Sequence, residues 1–470
     1  MDPLIAGLQA IVGPRYCLTE PEAQAPFVTD WRGLYRGQAR AVVMPGTTAE
    51  VQAVVRLARQ HRSPIVPQGG NTGLAGGATP DGSGNAIVLS LKRMNHVRAI
   101  DPLNNSMVAE AGCILANLQQ AASEADRLFP LSLSAEGTCQ IGGNLATNAG
   151  GLNVLRFGSA RDLCLGLEVV LPDGELVSNL SALRKDNTGY DLRHLFAGSE
   201  GTLGIITAAA LKLFPKPVAR ATAMAALSDL EIAPVLLARC RAGLADQLVS
   251  FELLPRFGIE LAQKFSAGLV WPLESLADWS VLIEANTSTT AFDLRAAMEQ
   301  CLSAALEAGE ITDAAVASSE AQSSAMWRQR EALLEGQIKI GAGIKHDVSV
   351  PVAQVPAFIK EGIAAVVRAW PQARMLAFGH IGDGNIHFNI SQPVGADRDA
   401  FLERWDDVSA AVFEVVLRLN GSISAEHGIG RLKRDLMPVI KSPVEFQMMK
   451  DLKRLFDPKG ILNPGKVLPP

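Results

Sequence analysis

The chain has no excess of basic charge. Lys and Arg number 43 against 48 Asp and Glu, a formal charge of −5 over 470 residues. No field exists here that would hold nucleic acid or an anionic membrane. The six cysteines, at 17, 113, 139, 164, 240 and 301, never form a Cys-x-x-Cys pair. That excludes a cysteine-built zinc finger and argues against a disulfide framework, which points to a reducing compartment. No uninterrupted apolar run approaches the roughly 18 residues of a membrane span. Met1-Asp2-Pro3-Leu4 has neither the basic n-region nor the apolar h-region of a secretion signal. The expectation is a cytoplasmic protein without a transmembrane segment; peripheral membrane contact stays open. General disorder is excluded, because 48% of residues are hydrophobic and only 19% charged. The length suits two or three domains, or one large domain with an inserted cap.

What the chain does have is clustered glycine. Residues 41–67 read as a βαβ unit: a strand Ala41-Val42-Val43-Met44, a helix opening with Thr47 and Glu50 at capping-box spacing, and a returning strand Ile65-Val66-Pro67. Gln68-Gly69-Gly70-Asn71-Thr72-Gly73-Leu74-Ala75-Gly76-Gly77 follows and is neither helix nor strand. It is not a Walker A loop, since no Gly-Lys-Ser/Thr follows, nor a Gly-x-Gly-x-x-Gly in strand-to-helix context. Its amides could still form a nest for a pyrophosphate, or the loop could be purely structural. A second Gly/Asn cluster spans 137–158, with Ile141-Gly142-Gly143-Asn144-Leu145-Ala146-Thr147-Asn148-Ala149-Gly150-Gly151 at its centre. Its small side chains suggest chain packed against a flat or extended ligand. Residues 165–171 read as a strand ending in a Pro172-Asp173-Gly174 turn, and residues 198–207 as a third small-residue loop entering a strand. Three such loops within ~140 residues favour one extended ligand. Beyond Pro215-Lys216-Pro217, helical stretches at 292–308, 353–370 and 398–419 alternate with strand-like runs such as 281–285, giving a second, α+β domain.

The C-terminal third holds the densest chemistry. In Gly379-His380-Ile381-Gly382-Asp383-Gly384-Asn385-Ile386-His387-Phe388-Asn389, Asp383-Gly384 signals a two-residue hairpin turn. Such a turn puts His380 opposite His387, with Cβ atoms about 4.5–5.5 Å apart, and Phe378 opposite Asn389. Two imidazoles on one face suit a metal ion, or are simply satisfied structural histidines. Glu426, in Ser424-Ala425-Glu426-His427-Gly428, could complete a His/His/Glu set with an open coordination position, leaving His427 as a general base. Alternatively, Glu426-His427 starts a surface helix. Lys345, Asp347 and Ser349 share one face of an alternating strand, and Arg330 follows Trp327 on a helix. Either cation could clamp a substrate carboxylate, although a lone cation is ordinarily solvated. A zinc hydrolase with structural glycine loops, or a binding protein without catalysis, fits these residues as well.

Four stretches then carry a resemblance: Pro67-Gln68-Gly69-Gly70-Asn71-Thr72-Gly73, residues 141–151, residues 198–207 and Ile461-Leu462-Asn463-Pro464 look like the FAD-binding signature of the vanillyl-alcohol oxidase superfamily. Leu183-Arg184-Lys185-Asp186-Asn187-Thr188-Gly189-Tyr190-Asp191-Leu192, residues 379–389 and residues 424–430 narrow it to the FAD-dependent D-2-hydroxy-acid dehydrogenases, most similar to those acting on D-2-hydroxyglutarate. The resemblance runs from about residue 30 to 468.

It implies an α+β fold: a two-subdomain FAD-binding domain (36–215) after an N-terminal segment (1–35), a substrate or cap domain (216–420), and a C-terminal segment (421–470) returning to the flavin. FAD would be non-covalent, because the first loop offers Asn71 and Thr72 where a covalent anchor would be His. Flavin contacts would come from Pro67, Gly69, Gly70, Asn71, Thr72, Gly73, Leu74, Gly137, Gly142, Asn144, Thr147, Gly150, Gly151, Gly201, Ile206 and Asn463. His380, His387 and Glu426 would hold a divalent metal, zinc first, and His427 would be the base. Arg330, Lys345, Asn389 and His380 would meet the substrate. Leu334 and His346 depart from the pattern, standing where a Thr and a Tyr are often found. The implied reaction oxidises a D-2-hydroxy acid, with D-2-hydroxyglutarate to 2-oxoglutarate first and D-lactate, D-malate or glycolate as alternatives. The electron acceptor would be an electron-transfer flavoprotein or quinone, and a homodimer is admitted.

Overall fold

The computed structural model describes residues 2–470 and divides into two units. The first comprises residues up to Gly151, Gly158–Lys216 and Glu426–Pro470; the second comprises Leu152–Phe157 and Pro217–Ala425. Among the described residues no helix is long and apolar enough to cross a membrane.

The first unit is built on two sheets. One contains strands Ala41–Val43, Ile87–Ser90 and Ile65–Gln68, all parallel, with Cys17–Leu18 antiparallel at its edge. Thr47 caps the Thr48–His61 helix through a 3.2 Å bond from the Glu50 N–H, while the Glu50 carboxylate accepts from Gly46 N at 2.7 Å. Val51, Val54, Val55 and Ala58 are the buried face of that helix, four positions at helical spacing. The two strands flanking this helix do not pair directly, as the βαβ expectation had it: Ile87–Ser90 lies between them. Its run of four buried residues suits a central strand, covered on both faces. The second sheet is antiparallel, in the order Val97–Asp101, Ser106–Glu110, Ile205–Lys212, Cys164–Val170, Leu176–Asn179.

One further expectation changes. Part of the 141–151 cluster is a short helix, Ile141–Ala146, and a side chain at Gly142 would come within 2.6 Å of the Ala111 Cβ, so glycine lets it pack closely. The C-terminal run is integral to the first unit. Ile65 N donates to Ile461 O at 2.7 Å and Asn463 N returns to Ile65 O at 2.8 Å, so Ile461 and Leu462 extend the parallel sheet.

The second unit holds an antiparallel four-stranded sheet, Leu248–Pro255, Trp279–Thr287, Ala219–Leu227, Ile311–Val316, packed on helices including Arg256–Phe265, Leu294–Glu307 and Glu320–Lys339. Its other sheet orders Gly343–Ser349, Asn385–Ser391 and Arg374–Phe378. In that sheet Asn-Ile-His-Phe-Asn-Ile-Ser alternates strictly, so Ile386, Phe388 and Ile390 share the apolar face and His387 and Asn389 the polar one. The 398–419 stretch is two helices, Arg398–Glu403 and Trp405–Arg418, separated at Arg404.

Leu462 is fully buried in the first sheet. Leu462→Ala is expected to cost about 2–5 kcal/mol, the range for emptying a buried leucine site. A thermal or urea melt matching the parent would show that the C-terminal run is dispensable to the first unit.

Candidate active site

All three glycine-rich runs line one cleft of the first unit, whose empty space, open to solvent, is about 890 Å³. Pro67 to Gly73, Gln140, Gly142 to Asn144, Thr147, Glu200, Gly201, Ile206 and His427 are among its walls. Leu74, Gly137, Gly150, Gly151 and Asn463, expected at the same ligand, are not. Gly137 is exposed at the surface. Asn463 is buried behind the wall, its Nδ2 donating to Glu200 O at 2.7 Å and Gly77 O at 3.0 Å. Gly151 donates its N–H to Glu426 Oε2 at 2.7 Å.

The cleft has polar groups without partners. The backbone N–H groups of residues 69–73 donate to nothing among the described residues. Gln140 Oε1 and Asn144 Oδ1 are buried acceptors that no donor meets. At Gly70 a Cβ would lie 2.2 Å from Thr138 O, so only glycine lets this loop close. Over Gly73 and Gly143, by contrast, the space is open. Consecutive amide donors facing a cavity form a nest for an anion, and the orphaned acceptors await donors from the same occupant. These residues fit a dinucleotide such as FAD: amides for its phosphates, an apolar and polar wall for its rings.

His427 reaches this cleft from the Glu426–Pro470 segment and does not begin a helix. The turn after it is held by Glu200, whose carboxylate accepts Ile429 N at 2.7 Å and Gly430 N at 2.9 Å. Burial raises the Glu200 carboxyl above its ordinary range, against the pull of those two N–H groups. Glu200 escaped the sequence reading although it sits inside the third loop.

In the second unit the expected hairpin register is wrong by two residues. Phe378 pairs with His387 and Leu376 with Asn389, and residues 379–384 form a loop beyond the strand. The cause is Gly379. Its N–H and C=O exchange hydrogen bonds with Leu253 of the other sheet, at 3.2 and 2.8 Å, which draws the chain out of the hairpin. The imidazoles meet nonetheless: the His380 and His387 ring centroids are 5.3 Å apart. His380 Nδ1 bonds Glu252 Oε1 at 2.6 Å, and Arg330 Nε donates to Glu252 Oε2 at 2.8 Å. Burial alone would raise the Glu252 carboxyl; its close partners His380 and Arg330 outweigh it and hold the group down at about 2. Arg330 is therefore not a solvated cation. It is 7% exposed, and its guanidinium stacks over Phe378 at 4.7 Å.

Lys345 and Asp347 do share a strand face, as alternation predicts, opposite Asn389 and His387 respectively. Asp347 Oδ1 lies 3.9 Å from His387 Nδ1 and accepts Asn385 Nδ2 at 2.9 Å. Asn389 Nδ2 donates to Gln337 Oε1 at 3.0 Å. His346 points the other way, bonding Phe388 O at 3.0 Å and Ser409 Oγ at 2.9 Å. It is a satisfied core histidine, so its departure from an aromatic pattern does not touch the site. Leu334 packs against the apolar cluster around Leu254, Leu333 and Phe378. Glu252 and Gln337 were missed by sequence; a lone Glu inside the apolar run Leu248–Pro255 was the available signal.

Comparison with known proteins identifies the family. Residues 216–467 match the C-terminal domain of FAD-linked oxidases and residues 39–179 match an FAD-binding domain. The chain is 39% identical to the mitochondrial D-2-hydroxyglutarate dehydrogenase of Bos taurus, covering 99% of this chain and 83% of that protein. It is 37% identical to D-2-hydroxyglutarate dehydrogenase of Stutzerimonas stutzeri, covering 99% of both. The chain belongs to the D-2-hydroxyglutarate dehydrogenase family. It is an FAD-dependent oxidoreductase of 2-hydroxy acids. Among solved structures, p-cresol methylhydroxylase superposes with TM-score 0.76 at 16% identity, over 100% of this chain and 97% of that one. Alkyldihydroxyacetonephosphate synthase superposes with TM-score 0.74 at 18% identity, over 99% and 84%. These likenesses show a shared fold. A hydrolase with merely structural glycine loops is inconsistent with the family and with the unpaired amides.

Gly70→Ala is expected to weaken FAD binding at least tenfold, about 1.4 kcal/mol, because the added methyl must displace the Thr138 carbonyl or the loop. Fluorescence titration of deflavinated protein with FAD checks this, and an unchanged dissociation constant would remove the loop from the cofactor site.

Proposed function

We infer that this enzyme oxidises D-2-hydroxyglutarate to 2-oxoglutarate, with His427 as general base and a divalent metal, zinc first, held by His380, His387 and Glu426. The observation behind this reading is that His427 lines the cleft that fits FAD. Relatives of nearly full-length similarity bear the name D-2-hydroxyglutarate dehydrogenase.

Oxidation removes a hydroxyl proton and a C2 hydride. Bound FAD supplies the two-electron acceptor, which no side chain can. A metal ion supplies a Lewis acid for the hydroxyl oxygen, an effect that lowers the pKa of bound water from 15.7 to about 7 in known sites. His427 takes the hydroxyl proton at an imidazole nitrogen. His380 and His387, with ring centroids 5.3 Å apart, offer nitrogen ligands, and Glu426 offers a carboxylate. Neutral imidazoles and a carboxylate are borderline ligands that suit zinc. Arg330 and Lys345 are two cations for the two carboxylates of a hydroxyglutarate, and Asn389, opposite Lys345, orients it. FAD is held without a covalent bond, since Asn71 and Thr72 offer no imidazole. The electron acceptor would be an electron-transfer flavoprotein or a quinone.

Leu334 favours a second reading. It lies one helical turn beyond Arg330 and presents no hydroxyl for a distal carboxylate, which suits D-lactate better. Anaerobic titration with D- and L-lactate, D-malate, glycolate and D-2-hydroxyglutarate decides between them through bleaching near ~450 nm. D-2-hydroxyglutarate is expected to bleach at the lowest concentration.

His427→Asn is expected to keep its flavin but to slow reduction by substrate at least ~100-fold. Normal bleaching in that variant removes the base from His427. A chelator is expected to abolish reduction without releasing FAD; full activity in protein shown to be metal-free would end the metal role.

A further inference from the structure

Glu252 stands in the middle of a strand whose eight residues, Leu248–Pro255, are all buried, and its own side chain is 1% exposed. Leu253 and Gly379 exchange both backbone hydrogen bonds, so the preceding residue, Glu252, comes opposite the following one, His380. The two carboxylate oxygens are divided between two partners. Oε1 takes His380 Nδ1 and Oε2 takes Arg330 Nε. Phe378 completes the group, with the Arg330 guanidinium over its face and the His387 ring 5.2 Å from it.

A buried ionic triad is a poor stabilising device, because well-packed apolar residues of the same volume do as well or better. Its use must be sought in what it orients. A neutral His380 that donates its Nδ1–H to the Glu252 carboxylate carries its lone pair on Nε2, the atom that can ligate a metal. An Arg that spends Nε on a carboxylate keeps its two Nη groups as a fork for a second one. No other hydrogen bond of the Arg330 guanidinium forms among the described residues.

We propose that Glu252 is the positioning residue of this site: one carboxylate aims Arg330 at the substrate's distal carboxylate and His380 at the metal, so that acid recognition and metal affinity are coupled through it. This rests on the roles given above to His380 as a metal ligand and Arg330 as a carboxylate-binding cation, with Arg330 taken as the distal one because it lies one helical turn from Leu334.

The test is Glu252→Gln. The amide keeps the shape but offers one acceptor and turns an NH2 toward the other donor, so both bonds cannot survive. Flavin reduction is followed anaerobically with D-2-hydroxyglutarate and with D-lactate, and zinc affinity by chelator competition on the FAD-loaded, metal-stripped protein. The half-saturating concentration is expected to rise at least tenfold for D-2-hydroxyglutarate and less than threefold for D-lactate. Zinc affinity is expected to fall 10–100-fold, the usual loss when a ligand's hydrogen-bond partner is removed. Equal weakening toward both acids with unchanged zinc affinity would mean a structural role only and would overturn the proposal. If Glu252→Gln does not accumulate as a folded flavoprotein, Arg330→Gln serves. Through Glu252, loss of that cation must change zinc affinity at least threefold, and no change overturns the coupling. Failure of every acid to reduce wild-type flavin would overturn the substrate reading instead, leaving the zinc comparison to decide on Glu252.

Discussion

From residue 69 to residue 73 the backbone N–H groups line the cleft, and the first unit supplies no acceptor for them. Everything around that loop works to keep it so. The parallel strand Ile65–Gln68 ends just before it, so the ladder cannot absorb these amides. Gly70 lies too close to Thr138 O for any side chain, and Asn71 is held at φ 55° with its Nδ2 tied to Thr29 O at 2.9 Å. Strained, partner-poor backbone persists only where its surroundings over-determine it and a ligand completes it. A cofactor with phosphates and hydrogen-bonding rings is the completion that the donors, together with the orphaned Gln140 and Asn144 oxygens, require.

The C-terminal segment belongs to the same constraint. Asp457 accepts from Ile461 N at 3.0 Å and Leu462 N at 2.7 Å, while Lys453 binds Asp457 and the Thr202 and Leu462 carbonyls. That fixes Ile461 and Leu462 on the Ile65 edge and seats Asn463 against Glu200 and Gly77. Glu200 in turn clamps the turn that follows His427. The candidate base is thus positioned by a carboxylate that belongs to the third glycine loop, some 230 residues earlier in the chain.

The second unit solves a different problem, that of placing charge inside an apolar body. Its three-stranded sheet has an apolar face, where Phe388 packs on Phe358 with centroids 5.4 Å apart, and a polar face carrying Lys345, Asp347, His387 and Asn389. Alternation along each strand separates the two. His346 marks the boundary: one residue from Lys345 and from Asp347, it turns to the core and is fully satisfied there. Glu252 is the most deeply buried charge of the group, and it tolerates burial because each oxygen has a cationic or donating partner.

Local pattern by itself determined a good deal of this protein. Capping chemistry and 3.6-residue spacing defined the Thr48–His61 helix; strict alternation assigned the faces of the strands bearing His387 and Lys345; glycine clusters without regular period marked the cleft walls. Those signals are encoded within a few residues and survive any tertiary arrangement. What depended on partners distant in sequence could not be read. The hairpin register was set by Gly379 pairing with Leu253, not by the Asp383-Gly384 turn. Insertion of Ile87–Ser90 between the first two parallel strands was likewise invisible, as was the meeting of Glu252 with Arg330 and His380. A strand edge has no memory of which segment will pair with it, and a buried carboxylate announces that it needs partners without naming them; only the folded chain decides both.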